Sequence, residues 1–146
     1  MTIWLLQARL SRHLLIWSAL SIATGLVLLF APPFWQGVGV QALVWGTIDA
    51  AIALFGLRAL RRRQARAGAH DPQALEREAH NLRRLLLVNV GLDVLYVVAG
   101  VVVLNSFATD FGRGSGVGII VQGAFLGLFD AFYAYRVTRR CAGVNA

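Results

Sequence analysis

The chain has no lysine and a single cysteine, and each absence removes a class of chemistry. Without a lysine amine, no retinal Schiff base can form. One thiol, Cys141, makes neither an internal disulfide nor a cysteine-based metal site. It reads as a free cytosolic thiol, with palmitoylation as the other use of such a residue. The three histidines, His13, His70 and His80, flank the apolar stretches rather than occupy them. That argues against haem held within them, and no cofactor or metal is expected. Charge is also scarce. Charged residues make up 14% of the chain, against about 25% in an ordinary soluble domain.

Apolar residues fill that space, at 58% of 146 positions. They gather into four runs, roughly Leu14 to Ala31, Val38 to Leu57, Leu85 to Leu104 and Val117 to Tyr135. A helix rising ~1.5 Å per residue needs about 20 residues to cross ~30 Å of hydrocarbon, and each run is close to that length. Membrane strands would show alternating segments of ~10 residues, and these runs do not alternate. The first run ends in Ala31-Pro32-Pro33-Phe34, which is no small-x-small cleavage site, so it reads as a span and not a removable leader.

All 14 basic residues are arginine, against seven acidic ones. The excess does not signal nucleic acid, because no RNA- or DNA-binding motif accompanies it and the charges lie between apolar runs. It is a topology signal. Thirteen arginines lie before run one, between runs two and three, or after run four; only Arg113 lies elsewhere. The positive-inside rule then puts both termini and the central loop, residues 58–84, in the cytoplasm, and the bacterial inner membrane is the expected location. Arg61, Arg62, Arg63 and Arg66 are candidates for holding anionic lipid headgroups.

The central loop should be helical. Asp71 before Pro72 is a good helix start, with an N-cap side chain followed by proline at the first helical position. Helix two should continue through the arginine run and the chain should turn near Gly68. Glu76 and Glu78 would then face Arg62, Arg63 or Arg66. Pro32-Pro33 ends the first helix, and Ser106 to Ser115, rich in Gly, Ser and Asp, reads as the second outer turn. Trp35 suits the headgroup level. Residues 1–13 read either as an interfacial helix or as a longer first span.

Runs two and four echo each other. QALVWGTIDAAIA (Gln41 to Ala53) and QGAFLGLFDAFYA (Gln122 to Ala134) share Gln41/Gln122, Gly46/Gly127, Asp49/Asp130, Ala50/Ala131 and Ala53/Ala134 at identical spacing. Runs one and three match more weakly, with Trp17, Ser21 and Thr24 against Asn89, Asp93 and Tyr96. The expected fold is all-α: a four-helix membrane bundle forming one domain, built from two parallel hairpins, with a cytosolic helical extension between helices two and three. The parallel relation differs from the inverted repeats of many transporters.

Three of the seven acidic residues, Asp49, Asp93 and Asp130, lie within the runs. A carboxylate at mid-bilayer costs ~2.5–3.5 kcal/mol even on the lenient insertion scale, so it needs a partner, a wet cavity or a proton. Counted from Arg58, Arg84 and Arg136, each sits about 9–14 Å inside the cytoplasmic boundary, in nearly one layer. Asn89, Asp93, Tyr96 and Gly100 follow i, i+4, i+7, i+11 and share a face that should point inward. Gly46 and Gly127 precede their aspartates by three positions and would let helices approach closely.

Two roles suit this layer. Asp49, Asp93 and Asp130 with Asn89, Tyr96, Gln41 and Gln122 could handle a cation or protons, since closely set carboxylates cannot all carry charge. Alternatively these groups bond to one another and to Ser18 or Ser21, and only fix helix register. Other motifs are weaker. Gly114, Gly116 and Gly118 are spaced like a nucleotide fingerprint but follow no strand, and read as loop and helix-start glycines. Gly91-Leu92-Asp93 is too short a signal for aspartyl protease chemistry. The Trp and Phe residues of the runs read as lipid or core contacts.

The stretches LLLVNVGLDVLYVVAG (Leu85 to Gly100) and VQGAFLGLFDAFYAY (Val121 to Tyr135) resemble a family of small bacterial four-span proteins of unknown function, through N-x-G-L-D-x-x-Y and Q-G-x-F-L-x-L-F-D. The resemblance implies the same topology and no activity. Two functions are therefore expected. One is a small oligomeric membrane protein that moves or senses a cation or protons through the carboxylate layer. The other is a non-catalytic accessory or assembly subunit of a larger membrane complex. Neither is an enzyme.

Overall fold

The computed structural model describes residues 2–66, 68 and 70–142, with side chains as far as Arg139. Cys141, expected as a free thiol, therefore has its side chain outside the described residues. Those residues form four helices: α1 (Ile3–Leu28), α2 (Pro33–Gln64), α3 (Pro72–Ser106) and α4 (Asp110–Ala142). Each is long and apolar enough to cross a membrane. The 35 residues of α3 make a rod of about 52 Å, well beyond ~30 Å of hydrocarbon, so a bilayer would leave part of so long a helix outside it.

The helix ends follow local chemistry. Thr2 caps α1, its side chain accepting from the Leu5 N–H at 3.4 Å, and α1 runs unbroken from Ile3 through the first apolar run. Residues 3–13 are thus the continuous start of the first long helix. Pro33 opens α2, which carries through the arginines to Gln64. The chain turns at Gly68, where φ is +75°, a conformation that glycine adopts without a Cβ clash. Pro72 opens α3 as expected, but the Asp71 side chain makes no cap bond. A Cβ on Gly68 would meet the Asp71 Oδ2 instead, so the carboxylate folds back over the turn.

The turn between α3 and α4, expected as the second outer turn, is shorter than its composition suggests. It is confined to Phe107–Thr109, and the expected loop from Ser106 to Ser115 is already helical from Asp110. Thr109 accepts from the Gly112 N–H at 3.2 Å, an N-cap geometry. The glycines that follow are packing residues and not loop residues. A Cβ on Gly37 of α2 or Gly114 of α4 would strike the backbone of Phe111 or Phe34 across the helix pair. Gly118 is covered by the Gln41 stem, and Gly116 receives Leu104 of α3.

Helix pairing follows from such contacts. α1 packs on α2, α3 on α4, and α2 on α4, while the backbones of α1 and α3 approach closely at few positions. Leu28 lies on Gly39 and Ser21 on Gly46, so positions on α1 and α2 pair in opposite order along the chain. The buried apolar cluster lies at the Arg-rich end, beyond the middle of the bundle. There Ile3, Trp4 and Leu6 of α1 meet Leu60 of α2, Leu82 and Leu86 of α3, and Tyr133 and Val137 of α4.

Candidate functional site

The polar residues of the central layer come from all four helices. Asp49 on α2 is 3% exposed and Asp130 on α4 is also buried; Asp93 on α3 is half-buried. Asp93 and Asp130 both lie within electrostatic range of Asp49, and Asp93 within range of Asp130. The three carboxyls thus share one region. Asn89 sits beside the Asp130 carboxyl. Oδ2 of Asp49 and Oδ2 of Asp93 are buried without a hydrogen-bond partner among the described residues. Among those residues, no group of three or more His, Cys, Asp or Glu converges as metal ligands do.

The helix faces place these groups. Asn89, Asp93 and Tyr96 are half-buried and Gly100 is buried, one face of α3 turned toward α2 and α4. Asp93 lies against Gly127 of α4, where an added Cβ would sit 3.3 Å from the aspartate Cβ. Gly100 receives Ile119 and Ile120 of α4, and Gly46 receives Ser18, Ser21 and Ile22 of α1. The Tyr96 ring meets Trp45 edge-on, with centroids 4.5 Å apart. Gln41 is half-buried, its stem against Gly118.

Gln122 is placed otherwise. Trp17 Nε1 donates to its Oε1 at 3.1 Å, and its Nε2 donates to Ser21 Oγ at 3.3 Å. Indole only donates, which fixes the amide orientation. Trp17 also stacks on Phe125, with centroids 3.5 Å apart and planes 9° from parallel. Toward the Arg-rich end, the Tyr133 hydroxyl and His13 Nδ1 lie 2.8 Å apart. Trp17 and His13 are therefore specific α1–α4 links. Their spacing with Ser21, i, i+4, i+8 on one face of α1, was the available signal. Ser18, an expected partner for the layer, bonds the Leu14 carbonyl of its own helix at 2.7 Å.

Of the four candidate lipid-binding arginines, Arg61, Arg62 and Arg66 are exposed. Arg63 is half-buried and pairs with Glu78 at 2.8 Å, one of the contacts expected across the α2–α3 turn.

The layer is thus closed on the α1 side by bonded side chains and left with unpartnered carboxylate oxygens on α2 and α3. Comparison with known proteins adds a family and no activity. No curated protein and no solved structure matches the chain. A family model does match, over residues 13–131, which includes every residue of the polar layer. The chain accordingly belongs to a family of unknown function, DUF6992.

Proposed function

We propose that this protein is a small oligomeric membrane protein of the bacterial inner membrane, with both ends cytoplasmic, that handles protons or a cation through the Asp49/Asp93/Asp130 layer. The observation that carries the reading is the pair of buried, unpartnered oxygens on Asp49 and Asp93, within range of each other and of Asp130. A purely structural layer would have bonded them, because an unmade hydrogen bond at a buried charged group costs upwards of ~1–3 kcal/mol. Single carboxyls on three different helices suit protons passed from group to group. The role is non-enzymatic and needs no cofactor.

The repeat supports two parallel hairpins as the architecture. Positions matched by the repeat make matched contacts: Gly46 packs on Ser21 as Gly127 packs on Asp93, and Leu28 meets Gly39 as Gly100 meets Ile120. Where α3 carries Asp93, α1 carries Ser21, so one half of the layer is capped by Gln122 and the other is open.

The test is flux. Purified protein in liposomes should carry a proton or cation current that Asp93→Asn abolishes, and Asp49→Asn should reduce it strongly. A current that survives Asp93→Asn would sink the ion-handling reading. A second reading, a non-catalytic accessory or assembly subunit, is favoured by α3, whose Leu92, Leu95, Val98 and Val102 form an exposed apolar flank. Co-purification of a larger membrane protein at fixed stoichiometry, without any flux, would select it.

A further inference from the structure

Where α1, α2 and α3 converge below the Arg-rich core they leave a half-open pocket of about 210 Å³. Its wall changes character along the helix axis. Gln7, Ser11 and Arg63 stand at the end nearer the α2–α3 turn, and Leu14, Ile52 and Leu85 at the other. Arg63 and Ile52 lie on one helix, about 16 Å apart along its axis. Ile52 and Leu85 are each 57% exposed, so the apolar end opens sideways, where a bilayer would lie.

The polar end holds two unmade bonds. Glu78 accepts from Arg63 Nη1 at 2.8 Å and from Gln7 Nε2 at 3.5 Å. A carboxylate only accepts, so Gln7 must turn its NH₂ to Glu78 and its Oε1 away. That Oε1 and Arg63 Nε are both buried without a partner among the described residues. Gln7 itself is 7% exposed. One atom requires a donor and the other an acceptor, beside an ion pair that sets a positive group next to a negative one.

We propose that this pocket binds an ethanolamine phospholipid. Its phosphate oxygen would accept from Arg63 Nε–H and its ammonium donate to Gln7 Oε1, near Glu78, once these two covered atoms turn toward the pocket. The glycerol and upper chain lie along Leu14, Ile52 and Leu85. A choline headgroup has no N–H to give, and phosphatidylglycerol brings no cation for Glu78. The proposal rests on the membrane placement above and is independent of ion handling.

The test is native mass spectrometry of the full chain in mild detergent, titrated with phosphatidylethanolamine, its N-methylated series through phosphatidylcholine, and phosphatidylglycerol. Affinity should fall at least about tenfold from ethanolamine to choline, the loss expected for a charge-assisted bond. Gln7→Leu should flatten that series, while Asp93→Asn should leave it intact. Equal binding of all three lipids, tightest binding of phosphatidylglycerol, or discrimination that survives Gln7→Leu would overturn the site. The methylation series uses the unaltered protein, so the result does not depend on a variant folding. Failure of the membrane placement would show differently, as protein that does not float with vesicles.

Discussion

At the Arg-rich end, Leu6, Leu86, Tyr133 and Val137 interlock from three helices around a water-excluding centre. At the short-loop end, α2 and α4 meet backbone to backbone at Gly37 and Gly114. Between them, Leu92, Leu95 and Val98 of α3 face outward. In the proposed membrane placement, a solvent boundary explains the contrast. Where helices stand in water, burying leucine is favourable and a conventional core forms. Within lipid, burying leucine gains little over leaving it among acyl chains, and close approach through small residues with polar links takes over.

The contrast breaks most sharply at the glycine crossing. Gly114→Leu places a side chain into the Phe34 backbone, where neither helix can yield without moving the pair apart. Overpacking of this kind costs about 1–3 kcal/mol or more, and here the clash is with main chain. The expected outcome is loss of a monodisperse species on size-exclusion chromatography in detergent. Gly91→Leu, on the same scaffold but with no atom within 4 Å of an added Cβ, should leave the profile unchanged.

At the other end the sign of the change reverses. Leu6→Ala, at a side chain 1% exposed, removes core volume and should destabilise by about 2–5 kcal/mol. Leu92→Ala on the outward face of α3 should shift thermal unfolding in lipid by less than about 0.5 kcal/mol. Equal losses at Leu6 and Leu92 would mean that both are covered in the assembled protein, and the division into a wet and an oily region would fail.

How far this division is legible in the sequence depends on the kind of contact. The four runs, the helix start at Pro72 and the turn at Gly68 are local: apolar length, proline geometry and a φ that favours glycine specify them. The inward face of α3 is legible too, because Asn89, Asp93, Tyr96 and Gly100 keep helical spacing. Gly114 and Gly118 are not. A glycine in a turn and one in a helix crossing look alike in composition, and only the partner helix tells them apart. The same holds for Trp17 and Gln122, which find each other across more than a hundred residues of chain. Ile3, Trp4 and Leu6 suit a membrane surface by composition, and become a core only because three other helices extend far enough to meet them.

The layer of aspartates lies between the two regimes. Asp49→Asn replaces a buried group that can carry an unpaired charge with a neutral one of the same shape. The protein should become more stable by about 1 kcal/mol, read as a higher unfolding temperature in detergent. If Asp49→Asn instead lowers stability by 2 kcal/mol or more, its carboxylate is bonded in the native protein and the structural role of the layer is the correct one.

A small and salt-dependent effect belongs to the turn between α2 and α3. Arg63 and Glu78 pair at 2.8 Å, with side chains 37% and 20% exposed. A pair so close to water is worth about 0–1 kcal/mol, since solvent screens the charges and the long side chains lose freedom in meeting. Glu78→Gln should therefore cost no more than about 1 kcal/mol in dilute buffer. Most of that cost should vanish at 1 M salt, where the screening length is ~3 Å. Leu6→Ala, seated in the same end of the bundle, should keep its full cost at high salt. A Glu78→Gln loss that persists would show the carboxylate to be shielded from solvent, which would extend the dry core of the Arg-rich end outward to the turn.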